Sequence, residues 1–161
     1  MSLYTALGIA IGILIAVWTY LSLGTDVGLI VWAGIVAWGA FYAAGGGTEG
    51  FMKTVATNLS GILWGFLVLL IAGMIGGGVA IVALLVGVAA FMMCVQANLP
   101  LLSFIPGAFL GAATYVGAGG TGKFDRLLVM VALSMVLGAL FGYVSEVLGK
   151  KLAGRPASAT T

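Results

Sequence analysis

At 161 residues the chain has the length of one domain, yet 63% of it is apolar, only 6% is charged and 27 residues are glycine. A soluble domain carries about 25% charged residues, so this composition cannot clothe a water-facing surface and indicates an integral membrane protein. The net charge of +2, six bases against four acids lying mostly near segment ends, leaves no basic patch for a nucleic-acid partner.

A bilayer core of about 30 Å takes about 20 apolar residues per helix, and six segments approach that length. The first, Leu3 to Leu23, carries Trp18 and Tyr20 near one end as interfacial anchors. Its N-terminal flank lacks the positive region of a cleaved signal, so it is expected to stay as a helix. Gly24-Thr25-Asp26 turns the chain into the second segment, Val27 to Ala44, which holds Trp32 and Trp38. The glycine-rich stretch Gly45 to Gly50 is the next turn. The third segment, Phe51 to Met74, is the most polar. Its Thr54, Thr57, Asn58, Gly61 and Gly65 recur at spacings of three and four and share one helix face.

Gly76-Gly77-Gly78 leads to the fourth segment, Val79 to about Val95, which ends in Gln96-Ala97-Asn98-Leu99-Pro100 and contains Cys94, read as a small packing residue. The fifth, Leu101 to Ala118, has Pro106-Gly107 close to its start, and either crosses straight through or begins as a broken, partly re-entrant helix. The sixth runs from about Phe124 to Leu148. It bears Ser134, Gly138 and Gly142, a stripe of small residues that lets membrane helices approach closely. The tail, 149–161, is expected to be disordered and cytoplasmic.

The stretch VWAGIVAWGAFYAAGGGTEGFMK (Val31 to Lys53) matches FIPGAFLGAATYVGAGGTGKFDR (Phe104 to Arg126) at one fixed offset. Gly34 meets Gly107, Tyr42 meets Tyr115, Gly46-Gly47-Thr48 meets Gly119-Gly120-Thr121, and Lys53 meets Arg126. Farther along, Gly61 and Gly65 meet Ser134 and Gly138. An internal duplication is inferred, with one unit over about 3–75 and the other over about 76–148. Three segments per unit is an odd number, so consecutive units enter the membrane from opposite sides, as in the inverted repeats of transport proteins. The expected fold is therefore an all-α membrane protein of six transmembrane helices in two inverted three-helix repeats. The small-residue faces suit either the contact between repeats or a homo-oligomer. Lys53, Lys150, Lys151 and Arg155 fall on one side against Lys123 and Arg126 on the other, which places both termini in the cytoplasm.

Charged chemistry is sparse. Histidine is absent, which removes imidazole metal ligation and histidine acid–base catalysis, and a single cysteine forms no intrachain disulfide. No metal, cofactor or enzymatic activity is expected. Asp26, Glu49, Asp125 and Glu146 all fall at segment ends, so none is placed as a midplane proton carrier. Glu146 either faces headgroups or pairs with Lys150. Neutral polar groups remain. Asn58 is either an interhelical hydrogen-bonding group or a pore-lining amide. Gln96 and Asn98 are either the polar end of a helix or part of a dipping segment, in which Ser103 would cap a helix starting at Pro106. Tyr42 and Tyr115 are either interfacial anchors or gate residues.

The segments Ser60-Gly61-Ile62-Leu63-Trp64, Phe91 to Ala97 (FMMCVQA) and Leu101 to Gly117 (LLSFIPGAFLGAATYVG) resemble the DUF1097 family. That resemblance implies a small multi-pass protein of a bacterial inner membrane and carries over no catalytic residue. The residues themselves suggest a passive channel or facilitator for a small neutral polar solute. Thr54, Asn58, Gln96, Asn98, Ser103, Pro106 and Thr114 would line its pathway, with Trp38 and Tyr115 as constrictions. Gly61, Gly65, Ser134, Gly138 and Gly142 would pack the helices. A membrane scaffold binding partner helices and an ion-coupled secondary transporter are the alternatives.

Overall fold

A computed structural model describes residues 1–76 and 78–154. Six α-helices follow one another: α1 (Leu3–Leu23), α2 (Val31–Ala43), α3 (Gly47–Ile75), α4 (Val79–Val95), α5 (Ile105–Gly117) and α6 (Arg126–Ala153). Two single 3-10 turns, Gln96–Asn98 and Pro100–Leu102, join α4 to α5. Side chains set two of the helix starts. The Ser2 hydroxyl accepts from the Thr5 N–H at the head of α1, and the Asp125 carboxylate accepts from the Leu128 N–H at the head of α6.

Among the described residues, four helical stretches are long and apolar enough to cross a membrane: Leu3–Leu23, Gly47–Ile75, Val79–Asn98 and Arg126–Ala153. Helices α2 and α5 have 13 residues each, about 20 Å at about 1.5 Å per residue, against a core of about 30 Å. Six spans are expected from the sequence, and α2 and α5 are shorter than the segments that gave them because Val27–Ile30 and Leu101–Phe104 lie outside the α-helices. Helix α5 is unbroken. Pro106 lies in its first turn, where the missing N–H would have had no helical partner anyway, so the chain is interrupted before the helix and not within it. Helix α6 runs on to Ala153, so 149–153 are helical and not tail; 155–161 lie outside the described residues.

The packing is crossed. The short helix α2 lies along α6 and the short helix α5 along α3, while α1 packs on α6 and α4 on α3. Glycine makes both short-helix contacts possible. A β-carbon on Gly138 would overlap the Gly34 carbonyl, and one on Gly61 would overlap the Ala108 carbonyl. One turn on, Gly142 receives the rings of Phe41 and Trp38, and Gly65 lies against Ala112 and Tyr115. Gly61 and Gly138 thus make like contacts, as do Gly65 and Gly142, whereas the ungapped sequence match pairs Gly61 with Ser134 and Gly65 with Gly138.

Helices α3 and α6 cross antiparallel. Phe51 near the start of α3 meets Tyr143 near the end of α6, ring centroids 6.0 Å apart. The Gly47 N–H donates to Glu146 Oε2 at 2.7 Å, and at the opposite end Gly122, just before α6, lies against Leu69 and Leu70. Trp18 is no interfacial anchor. It is fully buried, its indole N–H donates to the Val31 carbonyl at 2.9 Å, and its ring fills the hollow over Gly34 beside Phe141. Cys94, for its part, is exposed on α4.

Because Gly61 and Gly138 face backbone, Gly61→Val or Gly138→Val should cost at least the upper end of the about 1–3 kcal/mol typical of overpacking. Gly87→Val, with nothing within 4 Å of its β-carbon position, should cost far less. Thermal unfolding of the three variants in detergent checks this ordering.

Candidate functional site

Helix α3 places Thr54, Thr57, Asn58 and Gly61 on one buried face. Thr57 is satisfied locally, its hydroxyl donating to the Lys53 carbonyl at 2.6 Å. Thr54 and Asn58 are different. The Thr54 hydroxyl and both the oxygen and the nitrogen of the Asn58 amide are buried without a hydrogen-bond partner. Asn58 is 1% exposed, and a buried polar group left unpaired costs about 1–3 kcal/mol. Gly111 of α5 closes against the Asn58 backbone. The antiparallel crossing of α3 and α6 brings Met135 level with Asn58, and Val131 and Met135 belong to the apolar core with Ile62 and Tyr115. Asn58 and Thr54 therefore form an unsatisfied polar pair, one turn apart, near the middle of the longest helix.

The other pathway candidates are placed elsewhere, and Gln96, Asn98 and Ser103 are engaged. Gln96 bridges α4 to α3: its oxygen accepts from the Trp64 indole N–H at 3.1 Å, and its nitrogen donates to the Ser60 hydroxyl at 3.0 Å. The Ser60 hydroxyl donates in turn to the Thr57 carbonyl at 2.9 Å. Asn98 donates to the Val95 carbonyl, closing an exposed turn. Ser103 does not cap α5. Its hydroxyl donates to the Pro100 carbonyl at 2.8 Å, and the cap position falls on Phe104, which makes no side-chain bond. Thr114 is buried on α5.

The two constriction candidates are built into the packing. The Trp38 indole N–H donates to the Ser145 hydroxyl at 3.1 Å, and the Tyr42 hydroxyl lies 2.8 Å from the same oxygen. Tyr115 is fully buried, and its hydroxyl accepts from the Gly122 N–H at 3.1 Å, holding the α5–α6 turn. Neither tyrosine is an exposed interfacial anchor. Ser145 went unnoticed in the sequence, although it continues the Ser134, Gly138, Gly142 stripe at helical spacing. Ser134 at the head of that stripe accepts from the Ile30 N–H at 2.8 Å and fixes the entry to α2. Gly61, Gly65, Gly138 and Gly142 are all filled by neighbours within the chain, so these faces are not free for a second copy.

The charges stay at the ends of the bundle. Glu146 pairs with Lys150 and accepts the Gly47 N–H, where the positive end of α3 favours an anion. Glu49 pairs with Lys53 at 2.7 Å. Arg126 reaches back to the α1–α2 turn and donates to the Val27 carbonyl at 3.2 Å.

The Gln96 bridge makes two interhelical bonds, each worth about 0.6 kcal/mol on average in membranes. Gln96→Leu should therefore lower stability by roughly 1 kcal/mol in thermal unfolding and change the Trp64 emission, while leaving the α3–α5 contact intact.

Residues 8–150 match the family model described as "Protein of unknown function (DUF1097)". The chain is 35% identical over 159 residues to the inner membrane protein YcdZ of Escherichia coli K12, covering 98% of this chain and 92% of that protein. It is 37% identical over 158 residues to the protein of the same name from Salmonella typhimurium LT2, covering 96% and 92%. It is also 35% identical over 164 residues to the uncharacterized protein YahC of E. coli K12, covering 92% of each. No solved structure matches the chain. Ser60, Trp64 and Gln96, which carried the resemblance from two separate segments, meet in one hydrogen-bonded bridge. The chain belongs to the DUF1097 family and is a multi-pass α-helical protein of the bacterial inner membrane.

Proposed function

We propose that the protein is a passive facilitator for a small neutral polar solute, built as two inverted three-helix units, with Asn58 and Thr54 as the polar step between them. The observation that carries this reading is the unpartnered Asn58 amide and Thr54 hydroxyl buried one turn apart on α3. In apolar surroundings such groups call for water or a polar ligand. An amide offers one donor edge and one acceptor edge, which suits a solute of amide or polyol type.

The crossed packing supports the inverted arrangement. Each short helix lies on the long helix of the other unit, and α3 runs antiparallel to α6. Inverted repeats place their sites where the two units meet, near the midplane. Passive transport follows from the charges. Glu49 and Glu146 are held in ion pairs at helix ends, and Asp125 caps α6, so no carboxylate stands level with Asn58. The ion-coupled alternative would draw on Glu146, which Lys150 and Gly47 already engage, or on neutral oxygens such as those of Thr54 and Asn58, and a proton or sodium gradient imposed across proteoliposomes tests it. The scaffold alternative relied on the small-residue stripes, which α2 and α5 fill. Both termini are assigned to the cytoplasm from the lysine and arginine bias.

The test is shrinkage of proteoliposomes in a panel of small amides and polyols. The wild type should accelerate entry of at least one solute over protein-free vesicles. Asn58→Leu should cut that flux at least tenfold and keep or raise thermal stability, because it removes an unpaired buried amide. Unchanged flux in Asn58→Leu would sink the pathway, and lost stability would mark Asn58 as a structural bonding group instead.

A further inference from the structure

Arg126, the first residue of α6, is held in place by the turn between α1 and α2. Its Nη2 donates to the Asp26 carbonyl at 3.4 Å and to the Val27 carbonyl at 3.2 Å. Gly28 makes that approach possible. Its φ is +85°, and a β-carbon on it would stand 2.9 Å from the same nitrogen. A guanidinium has five N–H donors, and among the described residues only those on Nη2 are used. The ion pairs among the described residues are Lys53–Glu49 and Lys150–Glu146. Arg126 and the exposed Asp26 therefore touch through the main chain without pairing their side chains. They present a cation and an anion side by side. Asp125, by contrast, is engaged by the Leu128 N–H and the Thr121 hydroxyl.

These two charges stand at a definite depth. Helix α1 has 21 residues, about 31 Å at about 1.5 Å per residue, which matches a bilayer core of about 30 Å. It runs antiparallel to α6, with Leu7 against Gly149 and Trp18 against Phe141. Arg126 consequently falls just past the apolar end of α1 at Leu23, level with lipid headgroups. Beside it lies a cavity of ≈ 300 Å³ lined by Gly28, Ile30, Arg126, Leu127 and Met130. Met130, one turn farther into α6, carries the apolar wall toward the bilayer core. The cavity is thus cationic at its mouth and apolar below. The position of the cation also favours an anion beside it, because a positive charge in the first turn of a helix opposes the helix dipole.

We propose that this cavity binds one zwitterionic phospholipid of the phosphoethanolamine type. The guanidinium of Arg126 holds the phosphate with the N–H groups it has left, in charge-assisted hydrogen bonds. The carboxylate of Asp26 takes the ammonium, and the start of an acyl chain lies along Leu127 and Met130. The site does not depend on the solute pathway at Asn58.

Native mass spectrometry of the full chain, in detergent micelles supplied with equimolar phosphatidylethanolamine and phosphatidylglycerol, tests the site. The wild type should retain one phosphatidylethanolamine per chain in preference to phosphatidylglycerol. Arg126→Gln should lower retention about tenfold, the scale of a lost hydrogen bond to a charged group. Asp26→Asn should keep a bound lipid and abolish the preference. Because Arg126 also ties down the α1–α2 turn, Met130→Trp serves if Arg126→Gln does not fold; it fills the cavity, leaves the guanidinium in place and should lower retention likewise. Lys123→Gln removes an exposed base outside the cavity and should change nothing. The proposal is overturned if the wild type retains no lipid or shows no preference, if the preference survives Asp26→Asn, or if retention is undiminished in the cavity variants. It is equally overturned if Lys123→Gln loses as much lipid as Arg126→Gln, which would mark a diffuse attraction of the surface.

Discussion

Two backbone contacts hold the structure together, Gly138 against the Gly34 carbonyl and Gly61 against the Ala108 carbonyl. In a bilayer the surrounding lipid is as apolar as the side chains, so burial alone gives little drive for one helix to choose another. Close packing and hydrogen bonds must do the choosing. At each of these positions the absence of a β-carbon lets two helices touch at main-chain distance. Trp18 over Gly34 and Thr57 beside Gly107 then follow as further packing around the same seams. The consequence is crossed packing, in which α2 is held by α6 and α5 by α3.

The polar groups sort by the same rule. Most are engaged close to where they arise: Gln96 with Ser60 and Trp64, Ser145 with Trp38 and Tyr42, Tyr115 with the turn at Gly122, Glu146 with Gly47 and Lys150. These bonds tie a helix to its neighbour or to a turn, and each has a partner of matching character. Against that background the bare amide of Asn58 and hydroxyl of Thr54 stand out, because they are as deeply buried as the others and bond to nothing. Among the described residues the Ser22 hydroxyl, near the end of α1, is also buried without a partner; Asn58 and Thr54 differ from it in lying one turn apart on the same face of α3.

The membrane class, the six helices and the small-residue faces were legible because composition and helical spacing report them directly. Glycines four residues apart, such as Gly61 and Gly65 or Gly138 and Gly142, share a helix face, so the sequence spacing does not say which of each pair makes a given contact. Helix length was overestimated for α2 and α5 because Val27–Ile30 and Leu101–Phe104 are as apolar as the helices they precede, yet lie in irregular chain. The side-chain partners could not be read at all. Trp18, Tyr115 and Gln96 look like interfacial or pathway residues by type, and only the tertiary packing shows that Val31, Gly122 and Trp64 engage them. Asn58 and Thr54 were the exceptions, picked out by being polar on a face otherwise made for close packing.

The central claim is that two units of like packing run in opposite directions through the membrane. Single cysteines at Thr48 and at Lys123, both exposed in the α2–α3 and α5–α6 regions, test it in a Cys94→Ser background. In intact cells and in inverted vesicles, a membrane-impermeant maleimide should label Thr48→Cys from one face only and Lys123→Cys from the other only. Labelling of both positions from the same face would contradict the inverted arrangement and the placement of a solute pathway between its halves.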